Sequence, residues 1–153
     1  MTMKTCKLRV LRPSDWPEVM DIENQSFDYP WREIEFRRTI RSPGVTCLIA
    51  EMEFDVAGYV VYERLERNVV LMNLAIHPKY QRSGIGKALI SDLKSRTRGN
   101  VKRILTDVSE YNDNAHLFFK SQGFLCTEIL ADYYDDDDDY PAQDAYRFVW
   151  EAA

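Results

Sequence analysis

Charged and apolar side chains alternate through Lys7-Leu8-Arg9-Val10-Leu11-Arg12, the pattern of a strand buried on one face. Pro13-Ser14-Asp15 then opens a helix that carries Trp16, Val19, Met20 and Ile22 at helical spacing. Asp28-Tyr29-Pro30 breaks it, and Trp31 to Ile40 reads as a second helix, stopped by Ser42-Pro43-Gly44. Val45 to Glu51 and Gly58 to Tyr62 read as antiparallel strands joined near Phe54-Asp55, and Asn68 to Ile76 as a further strand. A third helix is expected from Gly86 to Arg98, a strand from Val101 to Val108, and a helix from Asn112 to Ser121 closed by Gly123 as its C-terminal cap. Phe124 to Ala131 and Ala145 to Trp150 complete the strands. The order β-α-α-β-β-β-α-β-α-β-β implies a mixed sheet with helices on both faces.

The 153 residues suit one domain, 1–153, large enough to bury a core without disulfides or metals. No apolar run approaches the roughly 18–20 residues that span a bilayer. Met1-Thr2-Met3-Lys4 lacks the apolar core of a secretion signal, so a cytoplasmic location is expected. Cys6, Cys47 and Cys126 are odd in number and far apart, as reduced thiols are. The net charge of -5 has one source, the five consecutive aspartates Asp135 to Asp139. Without them 20 acidic residues balance 20 Lys and Arg, and no basic face remains for nucleic acid. His77 precedes a proline at a strand end, and His116 lies one turn after Asn112. Neither has partners at metal-ligand spacing, so no metal is expected.

The most specific segment is Leu74-Ala75-Ile76-His77-Pro78-Lys79-Tyr80-Gln81-Arg82-Ser83-Gly84-Ile85-Gly86-Lys87. A strand leads through a basic, glycine-containing turn into a helix N-terminus, where free backbone N–H groups and the helix dipole favour a phosphate. Two nucleotide motifs fail on spacing. A P-loop would need glycine at Gln81 and a hydroxyl at Ala88. A dinucleotide fingerprint would need a third glycine at Leu89. What remains, Gln81-Arg82-x-Gly84-x-Gly86, resembles the pyrophosphate loop of the GNAT family of N-acetyltransferases, which holds acetyl-coenzyme A.

Two further matches support this. Asn112-x-x-Ala115-x-x-Phe118-Phe119, followed by Gly123-Phe124, resembles the family's helix whose asparagine contacts the pantetheine or diphosphate arm. Ile22-Glu23, Phe27 and Pro30-Trp31 are similar to the RimI-like branch, which acetylates the first residue of a ribosomal protein. The resemblance implies a GNAT fold of class α/β (α+β), a mostly antiparallel sheet of about seven strands with helices on both faces. It implies a donor site at Leu74, Ala75, Ile76, Arg82, Ser83, Gly84, Ile85, Gly86, Lys87, Asn112 and Phe119. It also implies a splay beside Leu74-Ala75-Ile76 that frees main-chain groups, with the Ile76 N–H polarising the thioester carbonyl.

Asp107 aligns with the family's general-base glutamate, five residues before Asn112, and being one methylene shorter would reach the amine through water; Glu110 is a less favoured substitute. The family's general acid is a tyrosine where this chain has Phe119, which has no proton to give. Three readings stand: the thiolate leaves unassisted, another tyrosine (Tyr111, Tyr133 or Tyr134) substitutes, or the domain binds coenzyme A and catalyses poorly. Tyr134 is the acid taken forward. In the family the loop between the first two helices and the last hairpin frame the acceptor. Here they supply Tyr29, Trp31, Tyr133 and Tyr134, with Asp135 to Asp139 able to steer a cationic substrate. The expected activity is transfer of acetyl to a primary amine, a protein or peptide N-terminus or another cationic amine, by direct attack in a ternary complex. The alternative is an acyl-coenzyme A-binding regulatory module. Neither membrane nor nucleic acid is an expected partner, and the chain is expected to be a monomer or homodimer.

Overall fold

In the computed structural model, which describes residues 6–134 and 143–153, seven strands form one sheet. They are β1 (Lys7–Val10), β2 (Val45–Met52), β3 (Asp55–Arg64), β4 (Asn68–Ile76), β5 (Arg103–Ser109), β6 (Leu125–Tyr134) and β7 (Gln143–Glu151). The spatial order is β1-β2-β3-β4-β5-β7-β6, and every neighbouring pair is antiparallel except β4 and β5. Four helices pack on it: α1 (Trp16–Ser26), α2 (Glu33–Arg41), α3 (Ile85–Ser95) and α4 (Asp113–Ser121). Fold class and element order are as the hydrophobic pattern and the resemblance lead one to expect. The acidic run Asp135–Asp139 and the side chain of Tyr134 lie outside the described residues.

Burial explains the pattern in each strand. β3 is buried continuously from Val56 to Tyr62, because helices cover the sheet on both faces there. Trp16, Val19, Ile22 and Phe36 of α1 and α2 pack with Ile49, Tyr59 and Val61 on one face. Leu89, Ile90 and Leu93 of α3 pack with Leu48, Val60 and Leu71 on the other, together with Phe119, Phe124 and Phe148. Helix α2 starts two residues later than its periodicity suggests. Arg32 is extended (ψ 151°) and the Trp31 N–H is held by Glu23, outside the helix.

Two departures from ideal pairing shape the middle of the sheet. Val61 pairs with Asn73 but Tyr62 pairs with Leu71, so Met72 is an extra residue and β4 bulges. The bulge reverses which face each side chain takes. Before it Val69 and Leu71 join the α3 core; after it Leu74 and Ile76 do, while Ala75 packs with α1. The second departure lies between β4 and β5, which pair only over Asn68–Val70 and Arg103–Leu105. Beyond those three positions the two strands do not pair, and a cleft opens.

Candidate active site

The phase of hydrogen bonding along β4 decides what faces this cleft. The His77 N–H donates to Ala57 O at 2.7 Å, so residues 57 and 77 form a hydrogen-bonded pair. Antiparallel pairs alternate, so Ala75 opposite Tyr59 bonds to β3 while Ile76 opposite Gly58 does not. The N–H and C=O of Leu74 and Ile76 therefore point away from β3, toward the side where β5 has separated. Consistently, the Ile76 carbonyl accepts from the Gln81 amide at 3.3 Å instead of from a strand. Close contact with β3 is maintained by Gly58: a Cβ there would lie 2.8 Å from the Ala75 carbonyl oxygen.

Beyond β4 the chain makes a short 3-10 turn at Pro78–Tyr80 and then enters α3. The His77 ring takes part in that turn, its Nδ1 accepting from the Lys79 N–H at 3.0 Å, which is a structural role. Gly84 caps α3 in the left-handed region (φ +81°), and nothing lies within 4 Å of where its Cβ would be. Conformation, not crowding, calls for glycine there, and the space above it is open. Gly86 differs, because a Cβ on it would meet the Phe118 ring of α4 at 3.0 Å. The first amides of α3 have no helical acceptor, so Ile85, Gly86 and Lys87 present N–H groups to that open space.

The cleft has a volume of about 1120 Å³. Of the expected donor and acceptor residues, Leu74, Asp107, Asn112, Phe119, Tyr29, Trp31 and Tyr133 line it together. Ala75, Ile76 and the residues from Arg82 to Lys87 do not: Ala75 is buried toward α1, and the loop lies past the strand end. Asn112 caps α4, its side-chain oxygen accepting from the Ala115 N–H at 3.2 Å, which leaves its amide nitrogen for a ligand. Phe119 is 4% exposed and packs edge-on against Phe118 and Phe124, each with ring centroids 5.2 Å apart. It is a core residue whose surface also reaches the cleft. His116 is held by the Ser109 carbonyl at 2.9 Å and by the Tyr146 and Phe148 rings, as a structural histidine is. Among the described residues no group of His, Cys, Asp and Glu could hold a metal.

Two carboxylates in the cleft have unexpected surroundings. Glu23 of α1 is 1% exposed, yet three donors from different elements converge on it. The Tyr59 hydroxyl lies at 2.5 Å, the Asn73 amide at 2.7 Å and the Trp31 N–H at 2.9 Å. Burial and the adjacent carboxylate raise the Tyr59 hydroxyl well above the usual phenol range, so it stays protonated and donates. This knot ties the loop at Trp31 to the β4 bulge. Asp107 of β5 sits directly opposite Arg147 of β7, which in turn sits opposite Glu128 of β6. Arg147 Nε and Nη2 bond to the two Asp107 oxygens at 2.8 and 3.0 Å, and Nη1 reaches Glu128 at 3.1 Å. The Tyr133 hydroxyl also bonds to Asp107, and desolvation followed by that carboxylate's charge raises its pKa. Glu110 is committed as well, its Oε1 accepting from the Asp144 N–H at 3.1 Å.

Sequence reading missed Tyr59, Asn73 and Arg147 and gave Glu23 no role of its own. For Glu23 a signal existed: it continues the apolar stripe of Trp16, Val19 and Met20, where a carboxylate has to be satisfied by partners. For Arg147 none did, since its pairing with Asp107 depends on a register forty residues away.

Comparison with known proteins gives four concordant results. The chain is 28% identical over 131 residues to the [ribosomal protein bS18]-alanine N-acetyltransferase of Salmonella typhimurium, covering 83% of this chain and 86% of that protein. It is 29% identical over 130 residues to the N-alpha-acetyltransferase RimI of Mycobacterium tuberculosis, covering 81% of each. The crystal structure of the ribosomal-protein-S18-alanine N-acetyltransferase from Escherichia coli superposes with a TM-score of 0.82 at 24% identity, over 97% of this chain and 95% of that one. The model of the acetyltransferase (GNAT) family matches residues 16–124, which contain the splayed β4, the cleft it opens toward β5 and the glycine-capped α3, and the chain belongs to that family.

Proposed function

We propose that the protein transfers an acetyl group from acetyl-coenzyme A to the N-terminal α-amine of a protein or peptide. The observation that carries this is an open, glycine-capped helix N-terminus that follows directly on a strand with outward main-chain groups at Leu74 and Ile76, of which Leu74 borders the cleft. The pyrophosphate binds at Arg82 to Lys87, where backbone amides and the helix dipole favour an anion. The pantetheine arm runs along Leu74 to Ile76 in the place a β5 pairing would occupy, with the Asn112 amide nitrogen beside it. The Ile76 N–H is the donor to the thioester carbonyl, acting on the negative charge that develops as the amine attacks. Similarity to bS18-alanine N-acetyltransferases makes an alanine-initiated chain the first acceptor to test.

The acceptor enters between Tyr29 and Trp31 on one wall and Tyr133 on the other. Amine nitrogen attacks the thioester carbon, the C–S bond breaks, and coenzyme A leaves as thiolate or thiol while the nitrogen loses a proton. Phe119 supplies no proton, so the thiol proton comes from solvent or from a tyrosine of the cleft. The base role that resemblance implies for Asp107 is qualified by Arg147, since both carboxylate oxygens are already engaged. Thiol release from acetyl-coenzyme A, measured with alanine-initiated peptides, lysine peptides and polyamines, tests the reading. Turnover highest on the α-amine supports it. Tight acetyl-coenzyme A binding with no turnover on any amine would favour a binding module, the reading that Phe119 otherwise invites.

A further inference from the structure

We infer that Arg147 determines acceptor specificity: by occupying both Asp107 oxygens it withholds that carboxylate from the acceptor, so the site acts on amines that are already neutral and discriminates against lysine side chains. The inference rests on the acetyl-transfer reading above and refines it.

The geometry is that of a fork on a planar acceptor. Arg147 meets Asp107 through Nε and Nη2 at 2.8 and 3.0 Å, which is the bidentate arrangement that gives arginine–carboxylate pairs their strength. The three residues form one row across adjacent strands, Asp107 on β5, Arg147 on β7 and Glu128 on β6, so backbone register holds the fork in place. The Asp107 side chain is only 16% exposed, and its remaining neighbour in the cleft is the Tyr133 hydroxyl. Arg147 and Tyr133 together take three of the roughly four acceptor sites of the carboxylate. From across the cleft the one other buried carboxylate is Glu23, and its oxygens are bonded to Tyr59, Asn73 and Trp31. Glu110 is bonded to the Asp144 amide. Asp107 and Glu23 thus have both oxygens bonded, Glu110 has Oε1 bonded, and Asp28 and Glu35 line the cleft on the side of α1 and α2 rather than on β5.

With base assistance curtailed, the acceptor's own ionisation decides the rate. Near pH 7.5 an α-amine with a pKa of about 8 is about one quarter neutral, whereas a lysine with a pKa of about 10.4 is only about 0.1% neutral. That difference of two orders of magnitude favours α-amines before any contact with the side chains is considered. A free carboxylate in the cleft would narrow it, because general-base assistance helps most where the amine is most fully protonated. Arg147 thereby serves as a specificity residue acting through Asp107.

The test compares kcat/KM for an alanine-initiated peptide and for an Nα-blocked peptide with one lysine, using the wild type, Arg147→Met, Asp107→Asn and the double variant. Methionine keeps the length of the arginine stem, and residue 147 is partly exposed, so the fold is expected to persist; circular dichroism and the KM for acetyl-coenzyme A check that. Arg147→Met is expected to raise the lysine-to-α-amine ratio by about tenfold or more, and adding Asp107→Asn should abolish the gain. Asp107→Asn alone should leave the lysine-to-α-amine ratio at the wild-type value, because a clamped carboxylate does not favour one amine over the other. In the wild type kcat/KM on that peptide should rise with pH through the amine's own pKa. An unchanged ratio in a folded Arg147→Met, or a gain in that ratio that persists when Asp107→Asn is added, overturns the inference while leaving acetyl transfer intact. A wild type that binds acetyl-coenzyme A and acetylates neither peptide overturns the acetyl-transfer reading itself.

Discussion

The corner proposed to hold the donor and the wall proposed to hold the acceptor are built by different means. The donor corner relies on backbone: outward amides of Leu74 and Ile76, a left-handed Gly84 and the unpaired start of α3. Side chains there matter mainly by their absence, at Gly58 against β4 and at Gly86 against Phe118. The acceptor wall relies on side chains: Glu23 binding three donors, and Asp107 held by Arg147. A backbone site can tolerate changes in most side chains and keep one ligand. A side-chain site can be retuned by single substitutions, which suits a surface that selects among amines.

The contrast is broken most severely at Glu23. Glu23→Leu leaves the Tyr59 hydroxyl, the Asn73 amide and the Trp31 N–H without their acceptor, at a cost of about 3–5 kcal/mol in urea unfolding. If it instead folds with wild-type stability, the knot does not hold the acceptor wall. Next comes the support of α1 at the sheet edge. Arg9 donates to both Asp15 oxygens at 2.7 and 2.8 Å and to Glu51 at 3.0 Å, and Arg12 N–H caps Asp15 at 2.7 Å. Its hydrogen bond to Arg9 is the main reason that the Asp15 carboxyl titrates below its ordinary range. Because the folded pKa is depressed, the stabilisation is fully present above the unfolded value near 3.9 and is lost as pH falls through the folded pKa. Asp15→Asn should therefore cost about 2–3 kcal/mol at pH 5 to 7, with the gap to wild type closing below about pH 4.

Effects confined to the donor corner are smaller in stability and sharper in function. Gly58→Ala forces a Cβ against the Ala75 carbonyl, costing about 2 kcal/mol and raising the KM for acetyl-coenzyme A more than that for the acceptor. Equal changes in both KM values would show that the corner and the wall are not separable. The smallest effect is at the boundary of the two. Phe119→Tyr restores a hydroxyl at the family's acid position and should leave kcat equal or raise it several-fold, less than the ~10²–10⁴-fold of a fully positioned acid. A large loss would mean that packing against Phe118 and Phe124 excludes the hydroxyl, and that Phe119 is retained for the core.

These two regions were also unequally legible in the sequence. The donor corner could be read because its determinants are local: strand, glycines and helix start fall within fourteen consecutive residues, and spacing alone excludes the rival nucleotide motifs. The element order could be read for the same reason, since burial leaves a period in each segment. The β4 bulge could not, because Met72 looks like any other apolar strand residue until its register with Val61 and Tyr62 is known. Nor could the clamp on Asp107: Arg147 reads as an outward-facing residue of a half-buried strand, and only the β5–β7 pairing brings the two together. Asp107, aligned by resemblance with a catalytic glutamate, does line the cleft, but the alignment gives no view of the arginine bonded to it.

The backbone-built corner is proposed to deliver acetyl to an α-amine held at the side-chain-built wall. Incubation with acetyl-coenzyme A and an alanine-initiated peptide that also contains lysine, followed by tandem mass spectrometry, tests it directly. The account predicts a single acetyl group on the α-nitrogen. Acetyl found chiefly on the lysine side chain, or on neither amine while acetyl-coenzyme A is bound, would contradict it.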